Sequence, residues 1–212
     1  MFTFFLRRRR FLYVVASNLL NSGCILTEHE LITLVQQKNE HAFSKLVTLF
    51  RDRVFNTALG MVQHEADAED IAQEVFIKVY RSIGDFKKEA DLFTWIYRIT
   101  VNRCLDYLRS KQRRKRFGFI TSFFGVDNDE GVKDFDHPGV QLDKKQDAAM
   151  LFKVMQQLPN NQRTAFVLSK VEGLSYQQIA DVLDISSAAV DSLLQRAKQN
   201  LRKMIDQKYF NE

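Results

Sequence analysis

The residue types best suited to chemistry in this 212-residue chain lie along one face of a helical segment near its C-terminus. Ser187, Ala188, Ala189, Asp191, Ser192, Gln195, Arg196 and Lys198 fall on one side of that segment. Val190, Leu193, Leu194, Ala197 and Leu201 fall on the other, at the spacing of a buried helical stripe. A glutamine amide can pair with the edge of adenine, and a guanidinium can bond guanine or a phosphate, so Gln195 and Arg196 are candidate base readers. Lys198, with Arg202 and Lys203 beyond it, is placed for phosphates that position rather than specify. Asp191 works against non-specific affinity, because it turns a negative charge toward the phosphates.

Such a face needs a mount, and the preceding residues supply one. Ser175 with Gln178 forms a capping box that starts a short helix, with Tyr176, Ile179, Ala180, Val182 and Leu183 on its buried side. Asp184-Ile185-Ser186 is then a three-residue turn, and Ser186 or Ser187 caps the longer helix. Short helix, tight turn and long helix is the geometry that sets a recognition helix in a major groove. The same pattern serves plain packing hairpins, so alone it specifies at most a generic DNA binder.

Other chemistries find no support. Cys24 and Cys104 are far apart, and His29, His41, His64 and His137 are scattered, so no paired metal ligands exist. There is no phosphate-cradling glycine loop and no nucleophile elbow. No catalytic residue, metal site or cofactor is expected.

The chain is 45% apolar with only 2 prolines and 8 glycines, which favours long uninterrupted helices, and its formal charge of +5 permits nucleic-acid binding. Thr27 to Glu30 is a capping box opening the first helix. Apolar residues then recur at helical spacing through Leu31, Ile32, Leu34 and Val35, through Ala42 to Phe50, and on through Val54, Ala58, Leu59 and Val62. Asp67 is the expected cap of the next helix, whose apolar stripe is Ala68, Ile71, Ala72, Val75, Phe76, Val79 and Tyr80, ended by Gly84. A further helix is expected over about 92–109. From Lys111 the sequence turns basic, with Arg113, Arg114, Lys115 and Arg116. It then turns acidic and glycine-containing to about Asp143, longer than loops inside compact domains usually are.

The expected fold is therefore all-α: two small helical domains, over 26–116 and 144–212, joined by a flexible acidic linker at 117–143, with the helix-turn-helix in the second. Residues 1–25 read as a disordered extension. Its Arg7 to Arg10 and the apolar residues that follow imitate a secretion signal, and Gly23-Cys24 hints at a lipoprotein site. The apolar run is only about ten residues, against about 20 for a bilayer span. No stable membrane insertion is expected, and a cytoplasmic protein is.

In family order these segments resemble the sigma-70 family, specifically its small extracytoplasmic-function (ECF) members, over about residues 26–207. Asp67-Ala-Glu-Asp-Ile-Ala-Gln-Glu-Val-Phe is similar to the family's core-polymerase-binding helix. Phe86 through Arg114, with Phe93-Thr-Trp-Ile-Tyr-Arg-Ile-Thr-Val-Asn102, is similar to its promoter-melting segment. Leu158-Pro159 and Glu172-Gly-Leu-Ser-Tyr-Gln-Gln-Ile-Ala180 are similar to its −35-reading domain. The resemblance implies a non-enzymatic subunit that binds core RNA polymerase and promoter DNA and is restrained by an anti-sigma factor.

It also implies roles. Asp70, Gln73 and Glu74 would grip the polymerase. Phe86 and Asn102 would form a pocket for a base flipped from the melted −10 strand. Arg98, Arg103, Arg109, Arg113 and Arg114 would track that strand's backbone. Trp95 is read as structural. Where many members carry glycine, Asp184 stands, and Ala188-Ala-Val-Asp-Ser-Leu193 replaces two basic residues of the commoner recognition helix. One alternative is a stand-alone regulator using only the helix-turn-helix, but residues 26–114 show no strand-helix alternation to build its receiver domain.

Overall fold

Caps and glycines divide the chain into the helices that its apolar periodicity supports. The computed structural model describes residues 27–87, 91–122 and 151–209. The N-terminal extension and the acidic stretch of the linker lie outside the described residues. α1 spans Glu28–Gln36 behind the Thr27 capping box, in which the Glu30 amide donates to Thr27 Oγ1 and the Thr27 amide to Glu30 Oε2. A left-handed Lys38 turns the chain, and Asn39 caps α2, Glu40–Val62. α3 spans Glu65–Ser82 and runs into a single 3-10 turn at Ile83–Asp85. α4, Leu92–Ser122, opens on Asp91, whose Oδ1 accepts from the Thr94 amide at 2.6 Å.

These four helices close around Val35, Leu46, Val54, Ala58, Val75, Val79, Ile83, Ile96 and Cys104, each with at most 1% of its surface exposed. Full burial of a side chain of this size is worth about 1.5–3 kcal/mol, so this interior holds the bundle together. α3 and α4 are further joined at one end. The Tyr107 hydroxyl donates to Asp67 Oδ2, and Lys111 Nζ lies 3.5 Å from the same oxygen.

The second unit begins with a helical turn at 151–155, followed by α5, Asn160–Lys170, α6, Tyr176–Leu183, and α7, Ser187–Tyr209. Leu168, Ile179, Val190 and Leu194 fill the angle between them, and Val154, Met155, Leu158, Ala197 and Leu201 extend the core along α7. All regular elements among the described residues are helical, and none is long and apolar enough to cross a membrane.

Four local expectations are corrected. His64, not Asp67, caps α3: its Nδ1 accepts from the Asp67 amide at 3.3 Å, so Asp67 sits inside the first turn. Tyr80 is 38% exposed rather than in the core. It lies edge-on to Phe43, under the Lys38 ammonium, at the edge of a stripe whose core positions are Val79 and Ile83. Tyr176 is likewise 41% exposed, since the first residue of α6 precedes the turn that packs inward. α4 continues to Ser122, well past Arg109, so the basic run is carried on a helix. No glycine or proline interrupts it before Gly118.

The three-residue turn is as expected, and its cap is Ser186, whose Oγ accepts from the Ala189 amide. Asp184 takes the left-handed conformation there, with φ 55°. For an L-residue this conformation costs about 1–2 kcal/mol, less for aspartate. Asp184→Gly is expected to raise the melting temperature of this unit by a few degrees, as followed by circular dichroism.

Candidate nucleic-acid interface

Three surfaces carry the residues singled out by the sequence. On α3, the stripe facing away from the bundle holds Asp70, Gln73 and Glu74, all exposed, and continues to the half-exposed Ile77. Glu74 is not free. Arg103 Nη2 reaches its Oε2 at 2.6 Å, tying α3 to α4 across the surface. A residue expected at polymerase is thus paired with one expected at DNA.

On α4, Arg103, Arg109, Arg113 and Arg114 are exposed, and Arg98 is half-buried. Arg109 pairs loosely with Asp106 at 3.5 Å. Asn102 is exposed on the same helix. Phe86 is 8% exposed and tilts against Trp95 with ring centroids 5.0 Å apart. Gln36 fixes the approach to it, donating to the carbonyls of Ile83 and Phe86, both at 3.1 Å. Trp95 packs as a structural residue. Phe86 packs against it from the loop before α4.

On α7, Ala188, Ser192, Gln195, Arg196 and Lys198 are exposed, while Ser187, Ala189 and Asp191 are half-buried at the helix start. The opposite face buries Val190, Leu194, Ala197 and Leu201. Ser187 Oγ donates to Gln177 Oε1 at 3.1 Å, fixing the start of α7 against α6. Gln195, Arg196 and Lys198 together present an amide and two cations within one helical turn. Among the described residues no cluster of His, Cys, Asp or Glu is placed to hold a metal.

One arrangement was not legible from the sequence: the second unit is docked on the bundle. Gly60 of α2 meets α5 so closely that a Cβ placed on it would lie 2.9 Å from Val167 Cγ1. Beside this contact the Tyr97 hydroxyl donates to Glu172 Oε2 at 2.5 Å, and Arg53 Nη1 reaches the Tyr97 oxygen at 3.5 Å. Glu172 is held there by the turn after α5, where Gly173 takes φ 70° and the Leu174 amide returns to the Leu168 carbonyl. Arg98 Nε donates to the Asp181 carbonyl at 2.8 Å. That carbonyl lies in the last turn of α6 and needs a donor from outside the helix.

The seam is polar at several points. Burial pushes the Glu172 carboxyl above its ordinary value, against the opposing effects of the Tyr97 hydroxyl and Arg53. Burial likewise raises the Tyr97 phenol, which stays a neutral donor. Thr57 Oγ1 lies beside the Glu172 carboxylate without making a hydrogen bond of ordinary geometry. Arg163, 7% exposed, donates to Asn160 Oδ1 at 2.8 Å, and burial lowers its pKa. Cys104 beneath the seam is fully buried, and its thiol is pushed up to about 12. It is therefore an inert packing residue rather than a nucleophile.

Comparison with known proteins identifies the family of the chain. Residues 46–114 match the family model for sigma-70 region 2, and residues 148–201 that for sigma-70 region 4. The chain is 35% identical to the ECF RNA polymerase sigma-E factor of Haemophilus influenzae, over 85% of this chain and 96% of that protein. It is 32% identical to the RNA polymerase sigma-H factor of Pseudomonas aeruginosa, over 84% and 93%. The sigma-E factor of Escherichia coli K12 is 30% identical over 82% and 92%. Among solved structures, CnrH in complex with the cytosolic domain of CnrY matches with TM-score 0.62 at 21% identity, over 84% of this chain and 96% of that one. The sigma factor RpoE of Bartonella quintana, crystallised with the anti-sigma factor NepR, matches with TM-score 0.59 at 19% identity, over 77% and 96%. Both share the fold. With two region models matched in order and relatives of this similarity covered almost end to end, the chain belongs to the sigma-70 family, in its extracytoplasmic-function group.

Proposed function

We propose that Asp70, Gln73 and Glu74 on α3 seat this sigma factor on core RNA polymerase. The exposed face of α7 reads the −35 element, and α4 holds the melted −10 strand. As a member of its family the chain binds core RNA polymerase and directs promoter-specific initiation of transcription. It does so as a regulatory subunit, with the polymerase supplying the catalysis, and it acts where polymerase and chromosome are, in the cytoplasm. An anti-sigma protein is its further partner, by analogy with the relative crystallised with NepR.

The observation that carries this assignment is the separation of labour on the surface. Asp70, Gln73 and Glu74 are exposed in the first half of α3, whereas Arg103, Arg109, Arg113 and Arg114 are exposed on α4 and Gln195, Arg196 and Lys198 on α7. The polymerase face can use polar contacts without repelling a protein partner, and the cationic faces suit phosphates. On α7, Gln195 and Arg196 suit base edges, and Lys198 suits the backbone. Ser187, Ala188, Ala189, Asp191 and Ser192 complete the face.

Footprinting of the holoenzyme tests the assignment. Protection near both −35 and −10 should appear only when chain and core polymerase are combined. Protection by the chain alone at one site would instead favour a stand-alone regulator. A finer test concerns the basic end of α4. Arg113→Ala with Arg114→Ala should reduce the salt slope of holoenzyme binding to a single-stranded −10 oligonucleotide by about 1.4, at about 0.7 per lost phosphate contact. An unchanged slope would remove those two arginines from the strand path.

A further inference from the structure

We propose that Asp191 makes −35 recognition depend on a cytosine at one position, the cytosine N4 amino group donating to its carboxylate in the major groove. This choice rests on the assignment of α7 to the −35 element, and it adds the base that one residue of that face selects.

Asp191 stands where a recognition helix reads bases. α7 begins at Ser187, so Asp191 opens its second turn, and the N-terminal residues of such a helix are the ones that meet base edges. At about 3.6 residues per turn, Asp191 falls beside Ser187, Gln195 and Lys198, outside the buried stripe of Val190, Leu194, Ala197 and Leu201. The backbone there is fixed. Ser186 Oγ accepts from the Ala189 amide at 3.2 Å, Ser187 Oγ donates to Gln177 Oε1 at 3.1 Å, and the side chains of Val190 and Leu194 are buried. An aspartate is short, so it reaches a base only where its helix lies deep in the groove. Ala188 and Ser192, exposed on the same face, are small enough to permit that approach.

The carboxylate is also uncommitted. Glu74, Asp67 and Asp206 each pair with a cation, whereas Asp191, half-buried, makes no hydrogen bond or ion pair with any described residue. A carboxylate only accepts, so it can bond only a base that offers a donor. In the major groove guanine presents O6 and N7 and thymine O4, all acceptors. Adenine presents its N6 amino group beside the N7 acceptor. Cytosine alone presents an amino group with no acceptor next to it on the same base. Among phosphates an unpaired anion weakens binding to every sequence, and it weakens binding least where that amino group meets it. Asp191 therefore selects by rejecting the other bases as much as by bonding the right one.

Transcription by the holoenzyme from promoters randomised across the −35 element, read by counting transcripts from each promoter, tests the proposal. The wild-type chain should require a C·G pair at one position, with at least about 10-fold less transcript from any other pair there. Asp191→Ala should flatten that preference to within about 2-fold, mainly by raising transcription from the disfavoured pairs, with the preferences at other positions kept. Asp191→Asn keeps the shape but adds a donor. An asparagine amide suits adenine N6 and N7, so this variant should move the preference from cytosine to adenine at the same position. An Asp191→Ala chain that keeps the cytosine preference, or that changes transcription equally from all promoters, would overturn the proposal. Gln195→Ala, measured in parallel, separates this outcome from failure of the α7 assignment. If it relaxes a −35 position while neither Asp191 variant alters one, α7 still reads the element and the role of Asp191 is refuted. If none of the three substitutions alters any −35 preference, the assignment of α7 fails and the proposal fails with it.

Discussion

Replacing Asp70, Gln73 and Glu74 together with alanine is expected to reduce promoter-directed transcription at least about 100-fold while leaving the fold intact. All three side chains are exposed on α3, and the buried side of that helix, Ala68, Ile71, Ala72, Val75, Phe76 and Val79, is untouched. Alanine is the better helix former at each site. The internal cost is the exposed Glu74–Arg103 pair, worth about 0.2–1 kcal/mol. At an interface, by contrast, each truncated anchor can cost about 1–2 kcal/mol or more, and every 1.4 kcal/mol is tenfold in affinity. Fluorescence titration with core polymerase and a thermal melt of the free chain separate the two effects. Lost binding with a preserved melt supports the account. Unaltered binding would move the polymerase contact away from α3.

Leu194→Ala should produce the second large effect, by a different route. Leu194 is 1% exposed and sits where α5, α6 and α7 converge with Leu168, Ile179 and Val190. Truncating a buried leucine costs about 2–5 kcal/mol. A unit of this size is stabilised by only about 3–9 kcal/mol, so the change removes much of its margin. A fall in melting temperature of about 10 °C or more is expected for this unit, with loss of transcription from promoters that depend on the −35 element. Replacement of the exposed Ser192 by alanine is the control for stability, because it removes a hydroxyl bonded only to the Ala188 carbonyl.

The parts of this molecule that were legible in its sequence are those fixed by local rules. The capping boxes at Thr27 and Ser175, the turn at Asp184 and the inward stripe of α7 each depend on residues within a few positions of one another. The misplaced cap of α3 has a local cause as well. Asp67 and His64 can each satisfy an N-terminal amide, and the imidazole, three residues upstream, takes the role. The polymerase and DNA faces came from the family resemblance more than from periodicity, since exposed Asp70 or Arg103 looks like any solvated helix residue.

The docked seam was illegible for a different reason. Gly60 has no side chain to enter a pattern, and Tyr97 and Glu172 lie in two separate segments that carry the family resemblance. Their meeting depends on partners 75 positions apart in sequence for Tyr97 and Glu172, across the linker. Nothing in the spacing of either segment announces the other. A buried carboxylate partner for Tyr97 leaves no periodic signature, and the close approach at Gly60 is visible only once Val167 is opposite it.

The claim on which everything else depends is that this chain confers promoter choice on RNA polymerase. Run-off transcription with purified core polymerase on a library of promoter fragments measures that directly. The account predicts discrete transcripts from a subset sharing −35 and −10 elements, present only when the chain is added and absent with core polymerase alone. A folded chain that directs initiation from no member of the library would contradict it.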